Sequence, residues 1–171
     1  MAQNKKEQIR RAKQILATAR HAAMATVNKD GSPHNTPFRF LHDREFKHIY
    51  WGSHPDSMHS KNVMRNRKVF VVLYDLFESG GLYIEAANVR VLQRNEPEMR
   101  RALSVHNHEY ARVEKRPPVP MDYYCEDNPE STQRLYCADV KRLWIPLSKR
   151  DSKDLIIRDS RHEITAADLS D

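Results

Sequence analysis

Between Ala22 and Gly52, three short apolar runs alternate with two tight polar turns, a spacing that leaves room for little besides antiparallel hairpins. The first run is Ala22–Val27 (AAMATV). Asn28-Lys29-Asp30-Gly31 follows, and Asp-Gly favours a hairpin turn because glycine accepts positive φ. Residues 33–41 (PHNTPFRFL) read as the return strand. Pro33 and Pro37 have no N–H for a ladder, so part of this strand is expected at a sheet edge or an opening. His42-Asp43-Arg44-Glu45 makes the second turn, and residues 46–52 (FKHIYWG) the third strand.

Three more strands are expected further on. Val69–Tyr74 (VFVVLY) is β-branched and aromatic, Gly80-Gly81 marks a turn into a long strand over 82–92, and Arg134–Trp144 is the last. Helices are predicted over 4–19, where Ile9, Ala12, Leu16 and Ala19 form a stripe, and over Glu96 to about Tyr110. A third helix runs to about Asn66, with Ser53 or Asp56 as its N-cap. Pro117, Pro118, Pro120 and Pro129 make 112–131 an irregular loop. Six strands interleaved with helices predict a mainly β, α+β chain: a six-stranded antiparallel split β-barrel with flanking helices. The length of 171 residues suits one such domain, assigned to 1–150, followed by a polar, acidic C-terminal tail over 151–171.

Several chemistries are excluded. Four glycines, Gly31, Gly52, Gly80 and Gly81, cannot make a dinucleotide fingerprint or a phosphate loop of the Walker type. Cys125 and Cys137 form no CxxC pair, which argues against a disulfide scaffold or a zinc site. His106 and His108 lie two apart on a helix and point in different directions, so no metal is expected there. No GxSxG elbow is present, and no group is assigned a catalytic role. The apolar runs are too short to span a membrane and the first residues are polar, which together suggest a cytoplasmic protein without a membrane partner. The net charge of +6 is uneven, with +5 over residues 1–20 and −3 over 151–171. The basic N-terminal helix lacks interleaved aromatics, so it reads as a solvated face and no nucleic-acid partner is expected.

Chemistry concentrates in residues 50–69 (YWGSHPDSMHSKNVMRNRKV). A strand end there meets the first turn of a helix, whose free N–H groups and positive dipole end suit a phosphate. Ser57, His59 and Lys61 add donors at that point. The same residues also suit a plain capped helix with Lys61 in water.

Taken in order, Ala22–Val27, Asp30-Gly31, Pro33-His34 through Phe40, Tyr50–Ser53, and Ser57-x-x-x-Lys61-Asn62-Val63-x-x-Asn66-x-x-Val69 resemble the pyridoxamine 5′-phosphate oxidase-like family of FMN-binding split barrels. The likeness spans about residues 8–92, with Arg134–Trp144 similar to the last barrel strand. It implies a homodimer with FMN at the subunit interface, a small-molecule redox substrate, and a nicotinamide cofactor as electron donor. Carried over by position, Ser57, His59 and Lys61 would hold the phosphate, while Trp51, Gly52 and Ser53 would touch the ribityl chain or phosphate. Thr36, Pro37, Phe38 and Arg39 would line the ring, with Arg39 as the cation near its N1–C2 edge. Met58 and His59 stand where the family often has Arg-Lys. A flavin-contacting glutamine expected near Gly81 and the C-terminal signature of the vitamin B6 oxidases are missing, so that substrate is not expected. The expected activity is that of an FMN-dependent oxidoreductase of unspecified substrate; the alternative is a non-catalytic holder of flavin or haem.

Overall fold

The computed structural model describes residues 5–74, 81–153 and 155–169. Helix α1 (Lys5–Thr18) leads into the hairpin β1 (His21–Val27) and β2 (Pro33–Arg39), then β3 (Leu41–His42) and β4 (His48–Ser53). Helix α2 (Met58–Asn66) precedes β5 (Lys68–Tyr74) and β6 (Gly81–Val91). Helix α3 (Pro97–Glu109) runs on through a π turn (Tyr110–Glu114), and a 3-10 turn (Met121–Tyr124) follows. The chain closes with β7 (Arg134–Arg150), β8 (Ile156–Ile164) and the short α4 (Ala166–Leu169). Gly80, half of the expected Gly80-Gly81 turn, lies outside the described residues.

The strands form one antiparallel sheet in the order β2-β1-β5-β6-β7-β4-β3, with β8 on β7. Its two terminal strands, β2 and β3, are separated in the chain by Phe40 alone. Phe40 donates its N–H to the Arg20 carbonyl at 2.9 Å. One extended segment thus pairs with β1 through its first part and with β4 through its last, curling the sheet into a split barrel. The hairpin behaves as its residues require: Gly31 takes φ 86°, and the proline-bearing β2 pairs only with β1 along Pro33–Arg39.

The α+β split barrel is therefore the one expected, with two corrections. The single strand expected over 33–41 is interrupted at Phe40 into β2 and β3, and the last strand continues beyond Trp144 and returns as β8. β4 pairs with β7 only over 134–139; from Leu143 onward the same edge of β7 is free to take β8. Charged residues hid β8 in the sequence: Arg158 and Glu163 stand exposed, while Ile164 turns into the core.

Two apolar clusters hold the sheet. Alternate residues of each strand point into the barrel, among them Met24, Ile49, Trp51, Val71, Ile84 and Tyr136. The second cluster covers the outside of β4 and β7, where Tyr50, Leu135 and Cys137 meet Met99 and Ala102 of α3. β4 is thus covered on both faces, which explains the unbroken buried run Ile49-Tyr50-Trp51. On α1 the fully buried line is Gln8, Ala12 and Ile15; Ile9, Leu16 and Ala19 of the expected stripe pack at its margin. Both cysteines are free and buried, and burial pushes the Cys137 thiol up to about 12. Among the described residues no helix is long and apolar enough to cross a membrane.

Candidate functional site

β4 ends at Ser53, which is buried, and a three-residue loop delivers Ser57 to the head of α2. The N-cap is Ser57, not Ser53 or Asp56: its Oγ accepts the Ser60 N–H at 3.3 Å. The expected cap positions instead serve the surroundings. Asp56 faces Lys61 across 3.3 Å on the surface, and the Ser53 hydroxyl joins the cap from below.

Four polar side chains converge there. Ser53 Oγ lies 2.7 Å from His59 Nε2 and 3.1 Å from Ser57 Oγ. Ser57 donates to Ser60 Oγ at 2.8 Å and lies 3.3 Å from His59 Nε2, while Ser60 donates to Ser53 Oγ at 3.1 Å. Burial lowers the pKa of His59, with His34 of β2 adding like-charge repulsion, so the imidazole is neutral at pH 7. Ser60 is fully buried and rests on Tyr136, whose phenol acidity burial weakens and the Ser60 hydroxyl partly restores. Tyr136 in turn stacks on Trp51 with centroids 5.5 Å apart and planes 8° from parallel. The Trp51 Nε1 is buried and, among the described residues, has no hydrogen-bond partner.

α2 is fixed onto the β1–β2 hairpin by Asn62, which donates to Thr26 Oγ1 at 3.1 Å and Asn28 Oδ1 at 2.8 Å. Arg65 reinforces the joint by donating to the Val27 carbonyl at 2.6 Å. The Asn62 of the sequence pattern is thus a structural clamp that sets where the helix N-terminus points.

The expected site residues do not form one cluster. Ser53, Ser57 and His59 come together as described. Lys61, one turn on, is exposed and paired with Asp56. Phe38 and Trp51 lie inside the barrel, edge to face with centroids 6.0 Å apart. The four residues Thr36–Arg39 cannot share a surface, because side chains alternate along β2. Thr36 and Phe38 share the face of His34, toward α2. Pro37 and Arg39 are on the other. There Arg39 pairs with Glu114 and lies 4.5 Å above the Tyr110 ring. Gly52 serves packing: a Cβ there would meet Tyr124 Cε1 at 2.9 Å, and Tyr124 is held by its hydroxyl 2.7 Å from His106 Nε2.

Ser60 and Tyr136 were missing from the expected site. Ser60 stands three residues after a serine cap, a spacing that brings it back to the helix start. Tyr136 carries no local signal, since only the pairing of β4 with β7 sets it opposite Trp51. Among the described residues no group of three or more His, Cys, Asp or Glu side chains is disposed to hold a metal ion.

The sequence profile of the pyridoxamine 5′-phosphate oxidase family matches residues 9–136, a span that includes the whole β1–α2 site. The chain belongs to this family. Solved structures share the fold at low identity. A protein from Clostridium acetobutylicum related to general stress protein 26 of B. subtilis (pyridoxinephosphate oxidase family) superposes with a TM-score of 0.60 at 10% identity, over 94% of this chain and 97% of that one. HutZ, the haem storage protein from Vibrio cholerae, gives 0.61 at 14% identity, over 80% and 92% of the two chains. A haem-binding protein from Mycobacterium smegmatis gives 0.64 at 12% identity, over 99% of this chain and 61% of that one. No curated protein matches the sequence.

Proposed function

We propose that this family member binds FMN, with the phosphate at the N-terminus of α2, and acts as an FMN-dependent oxidoreductase. The observation that carries this reading is the convergence of Ser53, Ser57, Ser60 and His59, linked by contacts of 3.3 Å or less through Ser53 and Ser57, at the N-terminus of a nine-residue helix. Hydroxyls and helix N–H groups fit a phosphate monoester, and the half-buried setting strengthens each donor. Lys61, exposed on a flexible stem, would supply charge from the rim by leaving Asp56. Thr36 shares a face of β2 with His34, which lies near His59, and that face would receive the rest of the flavin. Bound FMN would supply hydride transfer, with a nicotinamide cofactor as electron donor. The protein's part is to bind the phosphate, to orient the ring through it, and to keep His59 neutral until an anion arrives.

A homodimer accompanies this reading. The outer face of β1 and β5 leaves Val27 and Tyr74 exposed at 43% and 53%, beside the half-buried Phe70 and Val72. Sedimentation velocity would report the dimer.

The second reading, a non-catalytic holder of flavin or haem, is favoured by the internal pairing of the knot. Its hydroxyls already satisfy one another, its imidazole is neutral, and Lys61 is turned toward Asp56. Titration of the protein with FMN, and separately with haem, separates the readings. Tight FMN binding that weakens in Lys61→Ala and Ser57→Ala, followed by bleaching of the bound flavin with a reduced nicotinamide, supports the oxidoreductase. A Soret band with no flavin binding supports the alternative.

A further inference from the structure

A cavity of about 790 Å³, with no residue of α2 in its lining, opens between α1, the β2–β3 segment, α3 and the π turn. That volume suits a small organic molecule. Its apolar lining comes from Leu16, Phe40, Val105 and Val113. Four arginines also line it, Arg20, Arg39, Arg44 and Arg112, against a single carboxylate, Glu109.

The arginines are not equivalent. Arg112 takes both Glu109 oxygens, at 3.1 and 2.8 Å. Arg39 is neutralised by Glu114, which the π turn brings beneath it. Arg20 lies within electrostatic reach of Glu109 but makes no ion pair with it, and Arg44 has no acidic partner among the described residues. Two guanidiniums therefore line the hollow without an ion pair of their own, Arg44 and, facing Glu109 only at longer range, Arg20. Guanidinium is the side chain best shaped to grip a planar anion through two parallel hydrogen bonds. The π turn, a rare backbone form that gathers at functional sites, builds one wall by carrying Arg112 and Val113.

We propose that this cavity is a second ligand site, which takes an amphipathic organic anion: an apolar body against Leu16, Phe40 and Val113, and one carboxylate-like group held by Arg20 and Arg44. The site is separate from the α2 knot and does not depend on flavin binding there.

The probe is anilinonaphthalene sulfonate, which joins fused apolar rings to one anionic group; N-phenyl-1-naphthylamine is its neutral counterpart. Titrated into the intact chain, the sulfonate should bind saturably at one site per chain. The double variant Arg20→Gln/Arg44→Gln alters two exposed side chains and should keep its melting temperature. It should bind the sulfonate about tenfold more weakly, with the neutral amine changed by less than about twofold. Three outcomes overturn the proposal: no saturable binding, equal sulfonate binding by the double variant, or displacement of the probe by FMN or haem, which would make the cavity the cofactor's own seat.

Discussion

Ser53 Oγ lies 2.7 Å from His59 Nε2, so the last residue of a core strand and the first turn of a helix share one partly buried hydrogen bond. The same hydroxyl also meets Ser57 and Ser60. Ser53→Ala would take the nearer partner from His59 Nε2 and the acceptor from the buried Ser60 hydroxyl, leaving each with Ser57 alone. The expected loss is about 1–2 kcal/mol of unfolding free energy in urea, because an unmet buried polar group costs its desolvation. Unchanged stability would show that water replaces the hydroxyl at no cost.

Acid should weaken the fold through two buried histidines. Burial holds both His59 and His106 below the ordinary histidine value of 6.5. As pH falls, the unfolded chain therefore takes up protons before the folded one does. The stability these groups contribute is complete above 6.5 and is lost as pH falls through their lowered native values. Urea midpoints should be lower at about pH 5.5 than at about pH 7.5, and His106→Gln should flatten that difference.

Gly52 admits the Tyr124 ring, and Tyr124 cannot retreat while His106 holds its hydroxyl. Gly52→Ala should cost about 1–3 kcal/mol through overpacking. Trimming the ring with Tyr124→Leu in the same chain should recover part of that loss, measured by chemical denaturation.

Arg39 and Glu114 are each about one-fifth exposed, with side-chain values of 21% and 24%, and their pair ties β2 to the end of α3. A double-mutant cycle with Arg39→Gln and Glu114→Gln should return a coupling of about 1 kcal/mol, above the level of an open surface pair. A coupling of zero would mean that the Tyr110 ring alone seats the guanidinium.

Ile164, in the stretch that composition marks as an acidic tail, is 4% exposed and pairs with Leu143. Ile164→Ala should cost about 2–4 kcal/mol, as for any core isoleucine. A loosely attached tail would tolerate the change without a shift in melting temperature.

Much of the barrel was legible because its signals are local. Asp30-Gly31 placed the first hairpin, the prolines placed β2 at an edge, β-branched and aromatic composition placed β5, and the Gly80-Gly81 pair placed the start of β6, each to within a residue or two. The α2 site was legible in part: Ser53, Ser57 and His59 fall within seven residues of one another, and a strand end followed by a helix start must bring them close. The division of Thr36–Arg39 into two faces was also written in the chain, since strand side chains alternate whatever lies around them.

By itself the sequence determined the hairpins, the helix starts and the family pattern, since each is set by turn chemistry, capping or spacing over a few residues. Only the tertiary structure decided three further things. Phe40 closes the sheet on itself, Tyr136 lies beneath Ser60 and beside Trp51, and the π turn carries Glu114 to Arg39 at the wall of the arginine-lined cavity. Each joins residues far apart in the chain. Such contacts follow from how a twisted sheet curls and which side chains then fill the space, and neither quantity is encoded at any single position.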